Sequence, residues 1–178
     1  MEGQNLKNWT LDKAHSSIEF SVRHMMISSV KGGFKDFDAE IKLDPENLEK
    51  ADVKFTVNAA SVDTNQSDRD AHLKSPDFFD IAKFPFITFT TKSVVKNGDN
   101  LTVKGDLTIK GVSREIAVKG EIQGPIKDPY GKQRIGFDGE STVNRKEFGL
   151  NWNMILEGGG VLVGDTVKLS IHLEAFTD

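Results

Sequence analysis

The sequence predicts an all-β fold, an antiparallel sheet that either closes into a barrel or stacks on a second sheet, with a short helical excursion near residues 67–80. Two observations carry that expectation. Side-chain type alternates along most of the chain: Leu101, Val103, Gly105, Leu107 and Ile109 interleave with Thr102, Lys104, Asp106, Thr108 and Lys110. Strand neighbours point to opposite faces, so a period of two gives one dry face and one wet face. Turn residues such as Asn97-Gly98 and Lys110-Gly111 separate the alternating runs. A long sheet with one dry face must roll up on that face or stack on a second sheet. Rolling up gives an apolar interior, which is either filled by the protein or left open for a ligand.

The elements follow in order. Trp9–Leu11 reads as a short first strand, and His15–Ile27 as a long one with Ile18, Phe20, Val22, His24 and Met26 on one face. Gly32-Gly33 marks a bend or bulge. Phe37, Ala39, Ile41 and Leu43 alternate with charged residues, and Val53, Phe55, Val57 and Ala59 continue the pattern. Ser61 to Phe84 breaks it. Asp68 to Leu73 suits a short helix with Ser67 as its N-cap, and Ser75-Pro76-Asp77 suits a second helical turn. Long excursions are usually lids or disordered, and Leu73, Phe78 and Phe79 argue against disorder. Strands resume over Phe86–Val95, and Asn97-Gly98 signals a hairpin. Further turns are expected at Lys110-Gly111, Gly124-Pro125 and Asp128-Pro129-Tyr130-Gly131. Ile135, Phe137, Gly139, Ser141 and Val143 share a parity, and so do Val167, Leu169, Ile171, Leu173 and Ala175. Phe148–Leu162, with Gly158-Gly159-Gly160, reads as a connection. The count is eight to ten strands in a single domain, 1–178, without internal repeats.

Composition excludes several classes. The 178 residues include no cysteine, which removes disulfides, thiolate metal sites and cysteine nucleophiles. A net charge of −4 with interspersed signs argues against a nucleic-acid partner. No stretch approaches the roughly 18 apolar residues of a membrane span, so stable membrane insertion is not expected. The N-terminus lacks an apolar run behind a basic start, which leads to the expectation of a cytoplasmic protein.

Catalytic motifs are absent or broken. Gly111-Val112-Ser113-Arg114-Glu115 lacks the closing glycine of a nucleophile elbow and falls at a hairpin turn. His15, His24, His72 and His172 form no HxH or HExxH pair, so no metal is assigned. Asp63 to Lys74 starts like a calcium loop, but Asp68 stands where glycine is needed and Lys74 where the bidentate Glu belongs. No phosphate-binding or dinucleotide motif is present, and no cofactor is implied.

Two polar residues fall on inward parities. A regular strand from Ile18 points His24 inward, and one from Ile135 points Arg145 inward. An interior arginine needs a partner. Either Arg145 lies past the strand end or pairs with Asp70 or Glu147, or it meets a ligand head group together with His24. Twelve Phe against one Tyr and two Trp favour hydrocarbon over sugars or nucleotides in such an interior.

Blocks of this sequence resemble the YceI-like family, across nearly the whole chain. They include Trp9-Thr10-Leu11-Asp12, His15-Ser16-Ser17-Ile18-Glu19-Phe20, Val22-Arg23-His24-Met25-Met26 and Val30-Lys31-Gly32-Gly33-Phe34. The middle group is the most specific: Ser61-Val62-Asp63-Thr64, Arg69-Asp70-Ala71-His72-Leu73 and Asp77-Phe78-Phe79-Asp80. Phe84-Pro85, Gly105 to Gly111 and Asn144-Arg145-Lys146-Glu147-Phe148-Gly149-Leu150 complete it. The resemblance implies an extended antiparallel β-barrel, lipocalin-like in shape, holding a polyisoprenoid, isoprenoid quinone, or fatty amide or acid, in a protein that forms homodimers. Many members resemble secreted proteins, and this N-terminus departs from that pattern.

Sequestration needs no chemistry. A tail of a dozen carbons gains about 10 kcal/mol gross on burial, at roughly 0.8 kcal/mol per CH₂. Candidate tail contacts are Phe20, Val22, Met26, Phe55, Phe89, Leu107, Phe137 and Ile171; candidate head-group contacts are His24, Arg145 and Arg69. Arg69 and Asp70 equally suit a role in pinning the 68–80 excursion. Two alternatives stand beside this reading: an enzyme on an isoprenoid-like substrate, using His24 with Asp70 or His72, and a packed barrel serving as a protein-interaction module.

Overall fold

The computed structural model describes residues 5–178. One antiparallel sheet contains eleven strands: β1 (Lys7–Leu11), β2 (Ser17–His24), β3 (Ser28–Phe34), β4 (Phe37–Leu43), β5 (Asp52–Asn58), β6 (Val62–Asp63), β7 (Phe86–Asn97), β8 (Asn100–Ile109), β9 (Val112–Lys127), β10 (Gln133–Asn144) and β11 (Val163–Thr177). Among the described residues the single α-helix, α1, spans Ser67–Lys74. Eight strands close the ring in the order β1-β4-β5-β7-β8-β9-β10-β11, and β11 returns to β1 through Thr10↔Phe176 and Leu11↔Ala175.

The other three strands prolong that ring on one side. β11 is long enough to serve two partners: its end pairs with β1, and its first part pairs with β2 from Val22↔Val167 to Ser17↔His172. β1 and β2 are thus one strand broken at Asp12–Ser16, where Asp12 accepts from the Ala14 N–H at 3.2 Å. β3 and β4 are broken only at Lys35-Asp36, and β5 and β6 at Ala59–Ser61. Pairing carries across each break: Trp9 faces Ile41 and Glu19 faces Gly33, while Phe37 faces Val57 and Phe34 faces Val62. Eight long strands, three of them creased, account for eleven pieces where the sequence suggested eight to ten.

Several local expectations need correction. The strand expected over His15–Ile27 stops at His24, because Met25 and Met26 take positive φ of 52° and 62° in the turn to β3. Met26 therefore leaves the inward face it was expected to share. Gly32 and Gly33 sit in regular register with Phe20 and Glu19 rather than in a bulge. A Cβ at Gly32 would lie 2.7 Å from Phe20 Cζ, so the residue is there for close approach, not for bending. Gly124-Pro125 lies inside β9, beside the register shift between Arg134 and Gly136, instead of in a turn. Gln66, not Ser67, occupies the N-cap of α1, and Ser75-Pro76-Asp77 forms a hydrogen-bonded turn rather than a second helix. The hairpins at Asn97-Gly98, Lys110-Gly111 and 128–131 form where expected; Lys110 and Gly111 both have the positive φ of a tight two-residue turn.

The alternating faces meet inside the ring, and the core they build is hollow. Leu107, Val143 and Phe55 border internal space and retain 7–8% exposure. Phenylalanines lie flat against the wall above inward-facing glycines. A Cβ at Gly105 would stand 2.5 Å from Phe89 Cζ, and one at Gly139 would stand 2.6 Å from Phe137 Cε1. Glycine at these positions lets a ring lie over its own strand or the next one instead of reaching across the barrel.

One end of the ring is tied by charge. Arg134 donates from Nε to Asp128 at 2.8 Å and from Nη1 to Asp12 at 2.8 Å and Glu174 at 2.9 Å. This joins the β9–β10 turn, the crease after β1 and the end of β11. Burial opposes charge on Asp12, but hydrogen bonds from His15 and Arg134 outweigh it and hold its carboxyl below the usual range. The Arg134 bond and backbone N–H groups do the same for Asp128. The bond to Asp12 raises the His15 pKa.

Candidate ligand-binding cavity

The hollow is a cavity of about 590 Å³. That lies within the roughly 300–1,000 Å³ of ordinary small-molecule sites. Its deep wall is aliphatic and aromatic, supplied by β4, β5 and β7–β11, through Ile41, Val57, Phe89, Leu107, Val118 and Leu169 among others. β2 and β3 extend the wall with Ile18, Phe20, Val22, Val30 and Phe34. Phe20, Phe34 and Phe79 form a chain of tilted rings, with centroids 5.7 and 5.8 Å apart.

Polar lining concentrates near one end. Arg23, His24, Asp68, Arg69, His72 and Arg145 all contribute to the wall there. Arg23 and Asp68 are exposed, so this is where the cavity meets solvent. The mouth lies between α1, the β2–β3 turn and the connection from β10 to β11.

Each side of the mouth is fixed by a buried polar hub. Thr64, only 4% exposed, gives its N–H and hydroxyl to Asp70 Oδ1 at 2.8 and 2.6 Å. Arg69 returns two bonds, from Nε to Thr64 Oγ1 and from Nη2 to the Thr64 carbonyl, both 2.8 Å. Asp70 and Arg69 thereby clamp α1 to the end of β6. The exchange supplies the anchoring that a capping side chain at Gln66 does not.

Arg145 holds the opposite side. β10 ends at Asn144, and Arg145 begins a 3-10 turn, Arg145–Phe148, with 4% exposure. Its guanidinium donates to the carbonyls of Gly164 at 2.8 Å, Trp152 at 2.9 Å, Val163 at 3.3 Å and Leu150. Asp165 lies 3.8 Å away, while Asp70 and Glu147 are not its partners. Burial lowers its pKa, against the pull of Asp165. The inward arginine of the sequence therefore sits past the strand end and organises the glycine-containing connection.

The structure brings the tail candidates Phe20, Val22, Phe55, Phe89, Leu107, Phe137 and Ile171 onto the wall of one cavity. Met26 is the exception, standing 62% exposed in the turn and packing against Gly160. His24, Arg145 and Arg69 all reach the wall near the mouth. Trp152 was not singled out in the sequence. It packs edge-on against His72, with centroids 4.6 Å apart, and against Phe78 at 5.6 Å. A tryptophan inside a glycine-rich connection was the available signal, since such a ring seldom stays without an apolar partner. His72 Nε2 meets Asp77 Oδ2 at 2.9 Å, which orients the ring between Phe78 and Trp152.

The histidines go to different partners: His15 to Asp12, His172 to Asp138 and His72 to Asp77. Asp12, His15 and Glu174 come within metal-binding distance of one another. Arg134 bonds two of them, so the cluster already carries its counter-charge.

Residues 9–175 match the family model of the YceI-like domain. The chain belongs to the YceI-like family. A UPF0312 protein of Staphylococcus aureus is 42% identical over 170 residues, covering 95% of this chain and 97% of that protein. The crystal structure of Burkholderia cenocepacia BcnA aligns with a TM-score of 0.81 at 25% identity, covering 92% of this chain and 98% of the other. A polyisoprenoid binding domain from Saccharophagus degradans aligns with a TM-score of 0.71 at 15% identity, over 96% and 98% of the two chains. At that identity the last likeness speaks for the fold alone.

Proposed function

We propose that this YceI-like protein is a non-enzymatic carrier or reservoir for one long apolar molecule: a polyisoprenoid, an isoprenoid quinone, or a fatty amide or acid. The observation that carries the reading is the cavity itself, about 590 Å³ of apolar space at the centre of a closed ring. Water in such a space would have few polar partners, whereas a hydrocarbon chain fills it and leaves water. The hydrocarbon tail lies against Phe20, Val22, Phe55, Phe89, Leu107, Phe137 and Ile171, and the polar end faces the mouth at His24 and Arg69. Arg145 acts through the connection it holds, because its donors are spent on backbone carbonyls. The polyisoprenoid binding domain of Saccharophagus degradans shows that this fold occurs in a polyisoprenoid binder. Homodimerisation accompanies this reading and is checked by sedimentation.

The test is mass spectrometry of the protein purified from its own host, first native and then after organic extraction. A stoichiometric prenyl or acyl species is expected. A clean apo mass that stays unchanged after incubation with quinones and prenyl phosphates would refute the proposal.

A further inference from the structure

Beside the mouth, two loops expose apolar side chains that the barrel does not need. The β2–β3 turn carries Met25, Met26 and Ile27; the β10–β11 connection carries Met154, Ile155 and Val161. Ile27 is 79% exposed and Ile155 83%.

The two loops form one unit. The Met25 N–H donates to the Leu162 carbonyl at 2.8 Å, and the Leu162 N–H to the Met154 carbonyl at 2.9 Å. Ile155 pairs with Val161, and Met26 Sδ lies against Gly160. The same loops also face inward, since His24, Trp152 and Leu162 line the cavity. The collar therefore adjoins the mouth of the cavity directly.

We propose that this collar is a docking surface for an anionic lipid bilayer, touching it reversibly so that the cavity exchanges its ligand with the membrane. The inference rests on the barrel holding a membrane-derived lipid, as proposed above. A contiguous exposed apolar patch marks a partner or a membrane. Two features favour the bilayer. The apolar surface is carried by six side chains on two loop tips, against roughly 20–30 residues a side in a stable protein interface. Flexible Met and Ile side chains on protruding tips suit shallow insertion at a headgroup boundary. Exposed charge at the mouth also suits anionic lipid: Arg23 is exposed there and Arg69 half-buried, against one lining carboxylate, Asp68, while the buried Arg145 is held by backbone carbonyls beside Asp165. Docked by this collar, the mouth faces the bilayer, and a tail passes from lipid to cavity without crossing water.

The experiment is co-sedimentation of the full chain with vesicles of equal parts phosphatidylcholine and phosphatidylglycerol. It compares the wild type with an Ile27→Asp, Ile155→Asp double variant. Neither residue lines the cavity. Wild-type binding is expected to fall with added salt, and the variant to bind at least about tenfold more weakly, as loss of buried aliphatic side chains implies. Farnesol uptake from ethanol solution should be the same in both, which shows that the variant is folded. Wild-type protein that ignores the vesicles, or a variant that binds them as well, overturns the inference. So does a wild-type dimer that the double variant converts to monomers without any vesicle binding, since a second copy would then own the collar. Farnesol uptake is scored separately. If it fails while collar-dependent vesicle binding persists, the cavity reading falls and the docking surface stands.

Discussion

Ligand affinity should rise with tail length and then stop rising, and the cavity says where. Taking roughly 30 Å³ for a water-sized group, 590 Å³ accommodates about twenty such groups, or about four isoprenoid units. Each buried CH₂ contributes roughly 0.8 kcal/mol, a nearly fourfold gain in affinity, until the space is full. Leu107 lies on the wall beside Phe89, its partner across β7 and β8. Leu107→Trp adds about six heavy atoms to the interior, which should shorten the plateau by about one isoprenoid unit and weaken the longest tails by a few kcal/mol. The assay is displacement of a fluorescent fatty acid by a series of straight-chain amides and prenols, on both proteins, with circular dichroism confirming the fold. A flat chain-length series in the wild type, or the same plateau in the folded Leu107→Trp protein, would refute interior binding.

Arg145→Met should destabilise the protein by about 3 kcal/mol, because carbonyls placed for a charged donor lose it; urea unfolding measures this, and a change below about 0.5 kcal/mol would remove the arginine's assigned role. Gly105→Ala places a Cβ 2.4 Å from the Thr90 carbonyl oxygen and should cost about 1–3 kcal/mol, read as a lowered thermal midpoint. Acid should loosen the tied end of the ring. Asp12 and Asp128 have lowered pKa values, so their contribution is complete above about pH 4 and drains as pH falls through the folded values. His15 runs the other way: its raised pKa makes its contribution full below about pH 6.5 and lost as pH rises through the folded value. Urea midpoints across pH should therefore fall at the acid end in the wild type, and Arg134→Met should flatten that fall.

The sequence disclosed the wall better than the mouth. Alternation fixes which side chain faces inward as long as pairing stays regular, and pairing is in register at the tail candidates on β2, β5, β7, β8, β10 and β11 that reach the wall. Seven tail candidates reach the wall for that reason. Met26 strays because the strand ended three residues early, before a pair of left-handed methionines that nothing in the alternation announces. Arg145 is inward, yet its four carbonyl partners lie 5 to 19 residues away in the chain, and a count of parities cannot see them. Thr64 fell within a block that carries the family resemblance, yet a small polar residue in a polar stretch gives no sign that Arg69 and Asp70 both converge on it. Side-chain hydrogen bonds that periodicity cannot register build the mouth, whereas local periodicity builds the wall.

The creased strands divide the molecule into a part that is committed and a part that is free. Closure of the ring is achieved by β1 against β11, below the breaks at Asp12–Ser16, Lys35-Asp36 and Ala59–Ser61. Everything contributed by β2, β3 and β6 stands beyond that closure. Residues can be added to or removed from the β2–β3 hairpin without reopening the barrel, much as a chimney can be raised without disturbing the hearth. A lineage needing to hold longer or shorter molecules could thus adjust depth at one rim and leave the folding of the ring untouched.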